Sequence, residues 1–149
     1  MLFRSLRSRY SKKKAQEASD RMTAGWNSMP LMVISMDADV IIRDVNRSAT
    51  RLLEYSPDEM IGKSLFLFHD SEEILAQRGR MESQVSRSLH SERAYAEATF
   101  ELGYNKAFER TLISKTGKRI HTIVSINQIK DDQGRVEGYL AIYEDVTQM

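Results

Sequence analysis

The chain has 149 residues, 41% hydrophobic and 29% charged, the size and mixture of one globular domain with a short appendage. It contains no cysteine, which excludes disulfides, thiolate metal sites, cysteine nucleophiles and any cofactor joined through sulfur. No apolar run approaches the roughly 18 residues that a membrane span requires, and the net charge of +1 hides a basic start, since residues 1–21 carry seven basic side chains against two acidic ones.

That arm reads as a solvated helix start or as a peripheral contact with an anionic membrane surface. Nucleic acid is not an expected partner; such a role predicts binding that falls steeply with salt. Leu2 and Phe3 precede the arginines without a signal-peptide core, so a cytoplasmic location is expected. Residues 1–29 form a predicted amphipathic helix. Ala15, Ala18, Met22, Trp26 and Met29 recur at steps of three and four, a stripe that must bury itself against the domain or a second chain. Pro30 closes it.

From Leu31 the period changes. Residues 31–36 and the run beginning at Val40 read as two strands around an Asp37-Ala38-Asp39 turn. Asn46 caps a short helix with Ala49, Leu52 and Leu53 on its apolar side. Ser56-Pro57-Asp58-Glu59 starts another single turn, with Ser56 as cap, Pro57 at the first position and Glu59 closing a capping box, and Gly62 ends it. The dense apolar segment 65–68 follows. Asp70 and Glu73, again at capping-box spacing, open a helical region 71–103 expected to break between Ser86 and Ser91 and to end at Gly103. Three strands complete the chain, about 107–114, 119–129 and 136–146, joined by turns at Lys115-Thr116-Gly117-Lys118 and Asp131-Asp132-Gln133-Gly134. Two strands, short helices and a three-stranded meander predict an α+β fold on an antiparallel sheet.

Alternation sorts the sheet residues by face. Ile120, Thr122, Val124, Ile126 and Gln128 share one side of their strand with Tyr139, Ala141 and Tyr143 of the next. The other side carries His121, Ile123 and Ile129 with Leu140 and Ile142. A sheet face open to water is normally polar, so these apolar residues predict a cover or a partner. The helix bearing Met22 and Trp26 is the candidate cover.

With these residues placed, the chain over about 26–147 resembles a PAS sensory domain. The resemblance rests on the segments 30–37, 45–49, 53–63 and 67–70, on Glu109 to Gly117, on Asp131 to Gly134 and on Glu144 to Thr147, in that order and spacing. It implies a PAS-like five-stranded sheet in order 2-1-5-4-3, with short helices enclosing a small pocket. The division expected is 1–29, an N-terminal cap or dimerisation helix, and 30–147, the PAS domain. It also implies a bacterial signalling role, upstream of histidine kinases of two-component systems or of diguanylate cyclases. Asp145-Val146-Thr147 resembles the motif that leads into a signalling helix, so the sequence reads as an excised piece or as a stand-alone protein working through partners. In relatives the acid at the place of Asp145 pairs with the hairpin, which implies a pair of Asp145 with Lys115 or a neighbour on the hairpin here.

The pocket candidates are Phe68, Phe100, Thr122, Val124, Ile126, Tyr139, Ala141 and Tyr143, with Thr122 and the tyrosine hydroxyls orienting the polar end of a small apolar ligand. The alternative is that these side chains simply fill the core. His90 is a haem-ligand candidate through its distance from the hairpin Gly117, as in haem-binding relatives. His69 reads as a polar residue at a helix start, and His121 points away from the pocket. The absent cysteine excludes the covalent flavin chemistry of the photoreceptor branch, while a noncovalent flavin flanked by Trp26, Tyr139 and Tyr143 stays open. No catalytic constellation and no metal-ligand spacing is present, so an enzyme is not expected. The expectation is a dimeric sensory module, with a constitutive interaction adaptor and a haem or flavin redox or gas sensor as alternatives.

Overall fold

The computed structural model describes residues 31–147; the helix expected over 1–29, with Met22 and Trp26, lies outside the described residues. Five strands, β1 (Met32–Asp37), β2 (Ile42–Val45), β3 (Phe108–Ile113), β4 (Arg119–Lys130) and β5 (Val136–Asp145), form one antiparallel sheet in the order β2-β1-β5-β4-β3. Between β2 and β3 run α1 (Arg47–Leu53), α2 (Pro57–Met60), a 3-10 turn (Leu65–Phe68), α3 (Ser71–Val85) and α4 (Glu92–Glu101). Fold class and strand order agree with the sequence reading.

β1 lies inside the sheet between β2 and β5, and its side chains suit burial on both faces: Met32, Val33, Ile34 and Met36 are all at most 4% exposed. Its pairing with β5 brings Asp37 opposite Gly138. A Cβ at Gly138 would lie 2.1 Å from the Met36 carbonyl oxygen, so only glycine permits this approach.

The helices start where local side-chain bonds stop the backbone from continuing as strand. Buried Asn46 accepts from the N–H of Ala49 (3.1 Å) and of Val33 (3.0 Å), and donates to the Leu31 carbonyl (2.7 Å), so one amide caps α1 and pins it to β1. Ser56 and Glu59 make the expected reciprocal capping box at α2. At α3 the outcome differs. Asp70 caps the N–H groups of Glu72 and Glu73, but the Glu73 carboxylate accepts from the Thr111 N–H (2.8 Å) instead of turning back, and so ties α3 to β3. The break between α3 and α4 begins at Ser86, in the left-handed region at φ 54°, and Ser91 caps α4.

Two apolar clusters result. The larger joins the inner sheet face to α1, α2 and the 3-10 turn and includes Ile34, Leu53, Met60, Phe68, Leu112 and Tyr143. The smaller lies with α3 and α4: Ile74, Met81, Leu89, Tyr95 and Ala98.

Candidate functional site

A cavity of about 40 Å³ lies between α3, α4 and the inner face of the sheet. Alternation on β4 and β5 turns Val124, Ile126, Tyr139 and Tyr143 into its sheet wall, and Phe100 of α4 stacks on Tyr139 with ring centres 5.3 Å apart. These are five of the eight pocket residues expected from the sequence. The other three are buried without lining the cavity. Phe68 packs edge-on to Tyr143, Ala141 is fully enclosed, and the Thr122 hydroxyl donates to the Arg110 carbonyl (2.7 Å), which leaves it no proton for a ligand.

The wall also contains groups that the sequence reading left out: Met36 and Val40 from the first hairpin, His69 from the end of the 3-10 turn, Tyr95 from α4 and Arg110 from β3. Val40 reaches its place at φ 66°, unusual for a β-branched side chain, and is held there by the Val40 N–H bond to the Asp37 carbonyl. Tyr95 stands one turn before Ala98 and Thr99, all three buried, so a helical face was available as a signal. Arg110 shares strand parity with Phe108 and Leu112 and therefore faces inward.

His69 stands at a helix start as expected, directly before the Asp70 cap of α3, but with a role the sequence did not show. It is buried, with Nδ1–H donating to the Leu65 carbonyl (2.9 Å) and Nε2 accepting from the Tyr143 hydroxyl (3.1 Å). A carbonyl can only accept, which assigns the Nδ1–H tautomer. Burial, aided by the Arg110 charge and only partly offset by the bond to Leu65, holds the imidazole pKa down at about 3. The ring is therefore a neutral bridge between the 3-10 turn and β5. Burial likewise pushes the Tyr143 phenol up.

His90 does not reach the cavity. It is exposed in the segment between α3 and α4. With room for only about three waters, the cavity fits neither a porphyrin nor a flavin ring. Among the described residues no group of three or more His, Cys, Asp or Glu is placed to hold a metal, and no helix is long and apolar enough to cross a membrane.

The Asp145–Lys115 pair is a correction. Lys115 meets Glu59 of α2, and its N–H donates to the Leu53 carbonyl (2.9 Å), so the β3–β4 hairpin is drawn to the α1–α2 side. Asp145 instead accepts from the Thr147 N–H (2.9 Å). On the outer face Ile123 is 37% exposed, and Leu140 and Ile142 are half-buried.

A sheet in this order, with short helices closing a small cavity against one face, defines a class of enclosed-pocket α+β module. The chain belongs to the PAS domain family, whose model matches residues 30–148. Solved structures agree on the fold. A PAS domain from Colwellia psychrerythraea superposes with a TM-score of 0.66 at 18% identity, covering 87% of this chain and 98% of its own. The PAS domain of an HTR-like protein from Haloarcula marismortui gives 0.63 at 22% identity, covering 91% and 97%. A domain of a sensory box sensor histidine kinase/response regulator from Geobacter sulfurreducens gives 0.59 at 18% identity, covering 86% and 94%. No curated protein matches the chain.

Proposed function

We propose that the chain is a sensory module of a signalling protein, in which the contents of the cavity set the state of the outer sheet face. One observation carries this. The cavity wall and the outer face are alternate residues of the same two strands: Val124 and Tyr143 face in, while Ile123 and Ile142 face out. A shift of β4 or β5 that accommodates a ligand therefore moves both surfaces together. Only a ligand that binds two sheet arrangements unequally can act as a signal.

Ile123, Leu140 and Ile142 form the docking surface in this reading, for the segment of residues 1–29 or for a second chain, and a homodimer follows from the second option. The output is an effector domain or protein. Sensor kinases contain domains of this fold, as the Geobacter structure does by name, which supports a place upstream of such an effector.

Hydrogen exchange on the full chain, before and after a cavity ligand is added, tests the relay. Slower exchange at 123–127 and 140–144 is expected, and protection confined to α3 and α4 counts against it. Light scattering of the full chain and of Leu140→Glu tests the dimer, which should become a monomer; equal masses reject the dimer. A second reading rests on the small size of the cavity: a constitutive adaptor whose core is filled. Native mass spectrometry that finds no small molecule retained at any concentration supports the adaptor.

A further inference from the structure

One buried polar group of the cavity wall stands out. The Tyr95 side chain is 6% exposed, and its buried hydroxyl finds no acceptor for its proton. A buried hydroxyl proton without an acceptor is a cost that a fold ordinarily avoids. Arg110 also lines the cavity. Arg110 meets no carboxylate among the described residues. Its guanidinium lies over the Phe108 ring, 4.6 Å from the centre, and one Nη donates to the Glu109 carbonyl (2.8 Å), leaving further donors unused.

Burial pushes the Tyr95 phenol pKa up, and the Arg110 charge, a hydrogen bond from the Arg110 side chain to the phenol oxygen and the charges of Arg78 and Arg80 act against it. The Nε of Arg78 is buried without a partner. A positive potential, spare guanidinium donors and a phenol proton without an acceptor thus converge in a lining that is otherwise mostly apolar. The missing component is an anion. Apolar walls disfavour a dianion such as phosphate, whereas a planar carboxylate matches a guanidinium edge and leaves hydrocarbon for the walls.

We infer that the cavity takes a short aliphatic monocarboxylate, its two oxygens held by Arg110 and the Tyr95 hydroxyl and its hydrocarbon packed on Val124, Ile126 and Phe100. This rests on the occupied-pocket reading and names the chemistry of the occupant. The volume of about 40 Å³ sets the length. It accommodates about three or four heavy atoms, which corresponds to acetate or, with a small outward shift of α4, propionate. So few atoms limit affinity to a dissociation constant no tighter than about 0.05 mM for acetate.

The test is a calorimetric or NMR titration of the full chain with sodium acetate and sodium propionate, with 1-propanol and sodium chloride as controls. Saturable carboxylate binding is expected, weakened about 10-fold or more in Arg110→Met and several-fold in Tyr95→Phe. Tyr95→Phe should leave the melting temperature of the free protein unchanged or raised, because the deleted hydroxyl is buried with no acceptor for its proton. That separates a ligand role from a structural one, and it decides the matter alone if Arg110→Met fails to fold. Carboxylate binding that neither substitution weakens, or that chloride displaces at equal concentration, overturns the inference. If 1-propanol binds and the carboxylates do not, the inference falls and the occupied pocket stands. If nothing binds, both fall.

Discussion

The two apolar clusters of this domain are built on different terms. The larger one is sealed by the sheet: its residues sit on strands locked to their neighbours by backbone pairing, and Asn46 adds buried bonds between β1 and α1. The smaller one has five buried residues and is joined to the rest by isolated bonds, Asp70 N–H to the Thr111 carbonyl (3.1 Å), Glu73 to the Thr111 N–H and Ser64 to Glu92 (2.6 Å), and by Ala96 and Phe100 of α4 against the larger cluster. The cavity lies along the seam between them. A packed interior is not continuously deformable, so movement concentrates where two cores meet. The seam is thus both the place where space remains and the place where opening costs least.

The largest effect should come from the sealed side. Phe68→Ala removes a side chain that is 1% exposed in the larger cluster, and a loss of about 3–5 kcal/mol is expected. Denaturant unfolding should show it as a lower midpoint for every strand and helix together. If α3 and α4 keep their original midpoint, the two clusters are independent domains and the comparison fails.

Met81→Ala is the counterpart in the smaller cluster, where Met81 is fully buried. A cost of about 2–3 kcal/mol is expected. Its signature should differ from that of Phe68→Ala. Amide exchange should accelerate throughout α3 and α4 at low denaturant, well before β1 and β5 respond. Uniform acceleration in all elements would show that the helices open only with the sheet.

His69 bridges the two sides, and its burial gives the seam a pH dependence. Its pKa is about 3 in the fold against 6.5 for the ordinary group, so below pH 6.5 the unfolded chain takes up a proton that the folded chain refuses. Stability that is complete above pH 6.5 is then lost as pH falls, by about 1.4 kcal/mol per pH unit, until the imidazole itself titrates near pH 3. The window from pH 6.5 to 4.5 isolates this effect from the carboxylates. In that range His69→Gln should flatten the slope. A wild-type profile as flat as that of the variant would mean that the ring is hydrated.

What the sequence disclosed follows the same division. Caps are local, so Asn46, Ser56 and Asp70 were legible from a few neighbouring residues. Strand parity is local too, and it placed Val124, Ile126, Tyr139 and Tyr143 on one face. His69 was not legible, because a 3-10 turn of four residues has no period long enough to show which way its last side chain points. His90 was misplaced for a related reason. A distance along the chain fixes no direction for a residue in the segment between two helices. Tyr95 and Arg110 lay on readable faces, but their unsatisfied state emerges only when partners distant in sequence are assembled.

The smallest effect concerns the contact that replaced the expected Asp145–Lys115 pair. Glu59 accepts from the Ser56 N–H (2.8 Å) and meets Lys115, and the lysine bond foremost, with the cap behind it, holds its carboxyl at about 2. Whatever stability this supplies is present above the usual carboxylate range and is lost as pH falls toward 2. Both groups are exposed, so water and salt screen the pair. Lys115→Ala should therefore leave the denaturation midpoint unmoved within error, whereas Ser56→Ala, which removes the cap itself, should cost about 1 kcal/mol. The reason is that the hairpin is fastened by the Lys115 N–H on the Leu53 carbonyl, a backbone bond that survives the substitution. A midpoint that falls further in Lys115→Ala than in Ser56→Ala would show that the side-chain pair holds the hairpin and the backbone bond merely follows it.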